Sequence, residues 1–197
     1  MHDPTTLPPD LPVPQDDGAA VHLNGSRLPP LSLISTSGRS QNLAEITGKA
    51  TLFFYPRSGV PGRPPPDGWD LVPGARGCTP HSCAYRDLAS EFAALGVTIF
   101  GISTQTTEYQ REFAERTHLG FELLSDSDLA LTRAMNLPTM QMPPITDGFP
   151  PGGPATLIKR MSWYCDGGVI QKVWYPVFPP DQNAATVLAW LRSSGTL

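Results

Sequence analysis

Two of the three cysteines in this chain stand five positions apart in Gly74-Ala75-Arg76-Gly77-Cys78-Thr79-Pro80-His81-Ser82-Cys83-Ala84-Tyr85-Arg86-Asp87, between a loop crowded with proline and glycine and a run with helical spacing. A thiol attacks only as its thiolate, and an ordinary cysteine is a few per cent ionised at neutral pH, so a reactive one needs surroundings that favour the anion. A helix N-terminus does so through its unpaired backbone N–H groups and the positive end of its dipole. Thr79-Pro80 reads as a cap followed by the first helical residue, which sets Cys78 beside those donors. The competing uses of these residues are a pair of buried structural thiols, or a metal site built from Cys78, His81 and Cys83. That metal site would have three ligands at unusual spacing and no partner cluster.

The elements around the pair define where it sits. Upstream, Ala50-Thr51-Leu52-Phe53-Phe54-Tyr55 is nearly all apolar, the pattern of a strand buried on both faces, and Pro56 ends it. Residues 57–77 hold five Pro and five Gly in 21 positions, an irregular loop of a length that compact domains keep for function. Its isolated Trp69 is expected to cover either the active-site mouth or a neighbouring subunit. Leu88, Phe92 and Leu95 predict a helix over 84–95, stopped by Gly96.

Val97–Ile102 is a second buried strand, and Thr107–Thr117 a helix with Tyr109, Phe113 and Ala114 inward and Gln110, Arg111 and Glu115 outward. A strand over Phe121–Leu124, a short helix over Asp128–Met135 and a loop over Pro138–Pro154 follow. Strands Ala155–Tyr164 and Val169–Tyr175 are joined by Cys165-Asp166-Gly167-Gly168, a hairpin signal. A helix over Ala184–Leu191 closes the chain. Nearer the start, Leu31–Ile34 reads as a short strand reversed at Ser37-Gly38-Arg39. Strands separated by helices run parallel and a hairpin runs antiparallel, so the class is α/β, a mixed central β-sheet flanked by helices on both faces. Residues 1–26 read as an extended Pro-rich arm lying on the surface, on which core folding does not depend. The domain then spans 27–197, with an inserted loop at 57–77.

Composition narrows the partners. A net charge of −4 without any Lys/Arg-rich run argues against nucleic acid, whose phosphates need clustered cations. The first residues carry acids and prolines where an export signal needs basic residues and then an apolar run, and no stretch reaches the roughly 18 to 20 apolar residues of a membrane span. The expectation is a cytoplasmic protein in a reducing compartment, with no membrane partner. There a cysteine pair is more often catalytic, redox-active or metal-binding than a static staple.

Phe53-Phe54-Tyr55-Pro56 followed by Pro73-Gly74-Ala75-Arg76-Gly77-Cys78-Thr79-Pro80-His81-Ser82-Cys83-Ala84-Tyr85-Arg86-Asp87 resembles the active-site segment of peroxiredoxins of the bacterioferritin comigratory protein, or peroxiredoxin Q, type. Arg160-Met161-Ser162-Trp163-Tyr164, Asp166-Gly167-Gly168-Val169-Ile170 and Val173-Trp174-Tyr175-Pro176-Val177 are similar to that family's C-terminal region. The resemblance covers roughly residues 28 to 193 and implies a thioredoxin-like fold. It implies a thiol-dependent peroxidase, without a cofactor, reducing hydrogen peroxide and small organic hydroperoxides. Cys78 is then the peroxidatic cysteine that becomes a sulfenic acid. Cys83 is the resolving cysteine that closes an intramolecular disulfide, and a thioredoxin-type dithiol reopens it. Arg160 matches the strand arginine that holds the thiolate and polarises the peroxide. The oligomeric state that fits is a monomer or weak homodimer.

Two positions depart from the family pattern. A Pro seven residues before the peroxidatic cysteine and a Thr or Ser three before it are replaced by Leu71 and Ala75, or by Pro56 and Val60 if the loop is an insertion. Neither Ala75 nor Val60 has a hydroxyl, and Thr79 and Ser58 are the candidates to replace it. Two other readings use the same cysteines: a peroxide sensor whose oxidation reshapes the long loop, and a thioredoxin-like protein disulfide oxidoreductase. The latter chemistry usually employs C-x-x-C. Cys165 is expected to be a packed or partly exposed free thiol with no catalytic role, and His22 and His118 to be surface residues without partners. Trp163, Tyr164, Trp174 and Tyr175 are expected to pack the hairpin.

Overall fold

The computed structural model describes residues 6–143, 148–150 and 154–195. A seven-stranded sheet runs through the molecule in the order β2-β1-β5-β4-β3-β8-β9. The strands are β1 Ser32–Ser35, β2 Ser40–Asn42, β3 Ala50–Phe54, β4 Thr98–Ser103, β5 Glu122–Ser125, β8 Met161–Asp166 and β9 Val169–Trp174. β3, β4 and β5 are parallel, while β8 lies antiparallel on the other side of β3. The expected α/β class with a mixed central sheet is therefore what forms. β3 is buried at every position, and its side chains alternate between two cores. Phe53 enters one with Tyr85, Phe92, Phe113 and Leu188, while Leu52 and Phe54 enter the other with Leu131, Trp163 and Ile170.

Helices α1 Cys78–Asp87, α2 Ala89–Ala94, α3 Thr107–Arg116 and α5 Asn183–Ser193 supply the first core. The short α4, Ala130–Ala134, and a 3-10 turn at Val21–Leu23 cover the opposite face. Gly101 of β4 has no side chain because a Cβ there would stand 2.7 Å from the Phe53 ring and 2.5 Å from Leu123. The turn between β8 and β9 is Gly167-Gly168, both with φ near +60° to +75°, as a two-residue type I′ hairpin requires.

Several expectations are corrected. The helix over 84–95 is two helices broken at Leu88, and the first begins six residues earlier, at Cys78. Its N-cap is Gly77 rather than Thr79, because Gly77 at φ +101 allows the sharp entry of the chain and a Cβ there would stand 2.4 Å from Pro180. Gln110 points inward, not outward: its Nε2 donates to the Ser103 Oγ at 2.9 Å and to the Leu124 carbonyl at 3.1 Å, so the amide nitrogen is paired within the core. The strand expected over 155–164 is divided into β7 Ala155–Ile158 and β8, in different sheets. β7 pairs with β6, Thr139–Met142, inside the segment expected as a loop over 138–154, part of which lies outside the described residues.

The arm is also more than a surface segment. Ala20 and Leu23 are buried in the core, Asp17 pairs with Lys159 at 2.7 Å and accepts from the Tyr175 hydroxyl at 2.8 Å, and Pro14 packs beside Gly74. Hydrogen bonds from Lys159 and Tyr175 hold the Asp17 carboxyl down to about 2. Exposed His22 has a partner after all, the Met135 carbonyl at 2.9 Å.

Candidate active site

Antiparallel pairing sets Phe54 of β3 opposite Met161 of β8. The residues that leave β3 and the residue that enters β8 therefore meet at one end of these central strands. That end is also the C-terminal end of parallel β3 and β4, where open α/β sheets place their ligands. Arg57 leaves there from β3, Gln105 from β4, and Arg160 stands in the break between β7 and β8. Arg160 is thus not inside a strand as expected, and the interruption is what frees its side chain to turn toward the cysteine.

Cys78 is the first residue of α1 and is 4% exposed. Its sulfur accepts from the Arg57 backbone N–H at 3.3 Å and from Arg160 Nη2 at 3.2 Å, and as a thiol it can donate to the Ala75 carbonyl at 3.6 Å. Arg160 Nη2 also lies 3.1 to 3.3 Å from the carbonyls of Gly74, Ala75 and Arg76. Two hydrogens shared among four acceptors leave the guanidinium centred in a collar of negative partial charge, with one side turned to the sulfur. Arg160 is only 2% exposed.

The other end of that guanidinium rests on a second layer. Arg160 Nη1 stands 3.1 Å from His81 Nδ1, and His81 Nε2 stands 2.9 Å from Asn183 Oδ1. Arginine can only donate, so Nδ1 is the acceptor and the imidazole proton sits on Nε2, facing the amide oxygen. Asn183 Oδ1 further accepts from the Tyr85 hydroxyl at 2.8 Å and from the Ser162 hydroxyl at 2.5 Å. Burial, reinforced by the Arg160 charge, holds His81 well below the ordinary histidine value, so this link is a neutral ring. Both His81 nitrogens are engaged by these partners, which leaves neither free for a metal.

Cys83 lies one and a half turns along α1, half-buried, and all three cysteines are free thiols. Burial pushes the Cys83 thiol up, with Arg86 opposing. Cys165 is fully buried and its thiol is raised to about 12 by burial, as befits a packed, unreactive group.

A small cavity of about 20 Å³ opens over Cys78, lined by Arg57, Trp69, Arg76 and Thr79 among others. Trp69 is among the residues lining this cavity. It is 4% exposed and packs with Ala75, Met142, Phe149 and Leu157. Arg76 is held by Asp70 at 3.0 Å. Of the two candidate replacement hydroxyls, Thr79 lines the cavity, whereas Ser58 is turned away to Gln105 Oε1 at 3.0 Å. The same Gln105 oxygen accepts from the Ser58 backbone N–H at 2.9 Å, which fixes the chain just after Arg57.

The structure brings Cys78 and Arg160 together and puts Cys83 on the same helix. Arg57, Asn183 and Gln105 escaped the sequence reading. Only Arg57 carried a signal, its place directly after the strand-ending Tyr-Pro. Asn183 and Gln105 reach the site from strands and helices distant in sequence, with no local pattern to mark them.

The Redoxin family model matches residues 23–188. A chloroplastic peroxiredoxin Q of Sedum lineare is 29% identical over 94% of this chain and 86% of its own length. Peroxiredoxin Bcp of Escherichia coli is 35% identical over 53% of this chain and 58% of its own length. Among solved structures, peroxidoxin BcpB of Mycobacterium tuberculosis superposes with a TM-score of 0.65 at 26% identity, covering 86% of this chain and 96% of that one. Reduced Prx3 of Vibrio vulnificus, solved in complex with hydrogen peroxide, gives 0.63 at 26% identity over 85% of this chain and 97% of that one. The thioredoxin-like fold agrees with these solved neighbours, and the chain belongs to the Redoxin family as an enzyme of the peroxiredoxin Q/Bcp type.

Proposed function

We propose that this thiol-dependent peroxidase reduces hydrogen peroxide and small organic hydroperoxides through Cys78, with Cys83 as the resolving thiol and a thioredoxin-type dithiol as the reductant. The observation that carries the reading is the Cys78 sulfur held between the Arg57 N–H and Arg160 Nη2 beneath a cavity of peroxide size. The thiolate attacks one peroxide oxygen along the O–O axis. The S–O bond forms as the O–O bond breaks, sulfur loses two electrons and the leaving oxygen departs as hydroxide or alkoxide and takes a proton. Donors already aimed at the sulfur and the reacting oxygens need no reorganisation as charge moves between them. The sulfenic acid then condenses with the Cys83 thiol, releasing water and forming the disulfide, and two thiol–disulfide exchanges with the external dithiol restore both thiols.

Burial that raises the Cys83 thiol keeps it protonated at neutral pH while α1 is intact, so resolution waits for the helix to open. Treating the reduced protein with one equivalent of hydrogen peroxide and mapping thiols by mass spectrometry tests the assignment. The expected products are a Cys78–Cys83 link in the wild type and a sulfenic acid on Cys78 in Cys83→Ser. Steady turnover with a thioredoxin system is expected as well. A single oxidation without turnover would mark a sensor instead, and insulin reduction without peroxide a disulfide oxidoreductase.

A further inference from the structure

Arg57 is 8% exposed, and its Nε is buried with no hydrogen-bond partner. Its only hydrogen bond among the described residues is made by its backbone, to the Cys78 sulfur. No carboxylate is paired with it there; the nearby Asp70 serves Arg76 instead. Burying the Nε of a guanidinium with no partner is unfavourable. The described contacts give the side chain no stabilising polar partner. A largely buried cation with no carboxylate paired to it is suited to an anion that arrives or develops later, and Arg57 lines the cavity over the Cys78 sulfur.

Of the hydroxyls near the sulfur, only that of Thr79 belongs to a residue lining the cavity. At the position where the resemblance calls for a hydroxyl beside the sulfur stands Ala75, whose methyl can donate nothing and whose carbonyl already accepts from Arg160. Ser58 is occupied with Gln105. The space of about 20 Å³ exceeds the roughly 10 to 15 Å³ that one water requires, enough to admit a small oxygen-bearing molecule.

We infer that the Arg57 side chain is a catalytic residue, a second guanidinium that binds the peroxide in this cavity and stabilises the departing oxygen, in place of the missing hydroxyl at position 75. The inference rests on the peroxidase reading above. In the step Cys–S⁻ + HOOH → Cys–SO⁻ + H₂O, Arg160 and the Arg57 backbone N–H hold the sulfur. The Arg57 side chain meets the oxygen that carries charge as the O–O bond breaks. The two roles of Arg57 are separable, because any substitution other than proline keeps the backbone donor.

The test measures the second-order rate at which each reduced protein is oxidised by hydrogen peroxide, and in parallel the rate of Cys78 alkylation by iodoacetamide, which presents no peroxide oxygens. Arg57→Met should slow peroxide oxidation by about 100-fold or more, the usual cost of deleting one such donor. It should leave alkylation within about threefold and not lower the melting temperature. Arg57→Lys, which restores a cation without the planar fork, should recover part of the loss. The inference is overturned if Arg57→Met oxidises within about threefold of wild type, or loses both reactivities together, or if Thr79→Val alone shows the selective loss. Should Arg57→Met not fold, Arg57→Gln is read by the same criteria. Failure of the peroxidase reading would look different, since wild type itself would then consume no peroxide, as Cys78→Ser should not.

Discussion

At the residue scale, the arrangement around Cys78 depends on a proton that is absent. His81 can receive Arg160 only as a neutral ring, and its burial among Phe53, Tyr85, Asn183 and the Arg160 guanidinium keeps it so. In the unfolded chain the same imidazole titrates near 6.5. A base whose folded value is depressed stabilises the native state fully above the unfolded value, and that contribution is lost as pH falls below it, because the unfolded chain then binds the extra proton. Urea unfolding between pH 7.5 and 5.5 should therefore show stability declining below about pH 6.5, by up to about 1.4 kcal/mol per pH unit from this group. His81→Gln, which keeps an acceptor and cannot ionise in this range, should flatten the slope. An equal slope in that variant would remove His81 from the account.

At the element scale, α1 is continuous from Cys78 to Asp87 and carries both thiols. Five residues along a regular helix separate the Cα atoms by about 8 to 9 Å. A disulfide closes below about 7 Å. The helix must therefore unwind over at least its first turn before the pair can join. Oxidation with one equivalent of peroxide should lower helical circular dichroism and release amide protection across 78–83, while Cys83→Ser should keep both. Identical exchange in the reduced and oxidised wild-type protein would sink this account. The unwinding has to work against Gly77, packed on Pro180, and the collar of carbonyls around Arg160, both of which break when the turn opens.

At the scale of the whole molecule, the arm is part of the domain. It passes the mouth of α1, where the Thr6 carbonyl accepts from Arg76, is pinned at Asp17 and ends with Leu23 inside the core. Leu23→Ala should lower the unfolding free energy by about 2 to 4 kcal/mol, the usual cost of emptying a buried leucine site. Val13→Ala, at a largely exposed position of the same arm, should change the urea midpoint very little. Equal effects from both would mean that the arm packs differently in solution. Across the described residues no helix is long and apolar enough to cross a membrane.

What the chain spells out locally was legible without coordinates. Ala50–Phe54 reads as a doubly buried strand because every residue is apolar or β-branched, Gly167-Gly168 as a hairpin because only glycine turns that way cheaply, and Cys78 as lying at a helix mouth because of the glycine-rich loop before it and the helical spacing after it. These features depend on neighbours within a few positions, where sterics and periodicity act. Strand pairing decided the rest. Registering Phe54 against Met161 brings Arg57 and Arg160 to one sulfur across roughly a hundred residues, and packing of α5 on α1 hands Asn183 to His81. The burial of Gln110 and Leu23 was hidden for the same reason: whether a side chain faces water depends on which distant segment folds over it, and no local spacing records that choice.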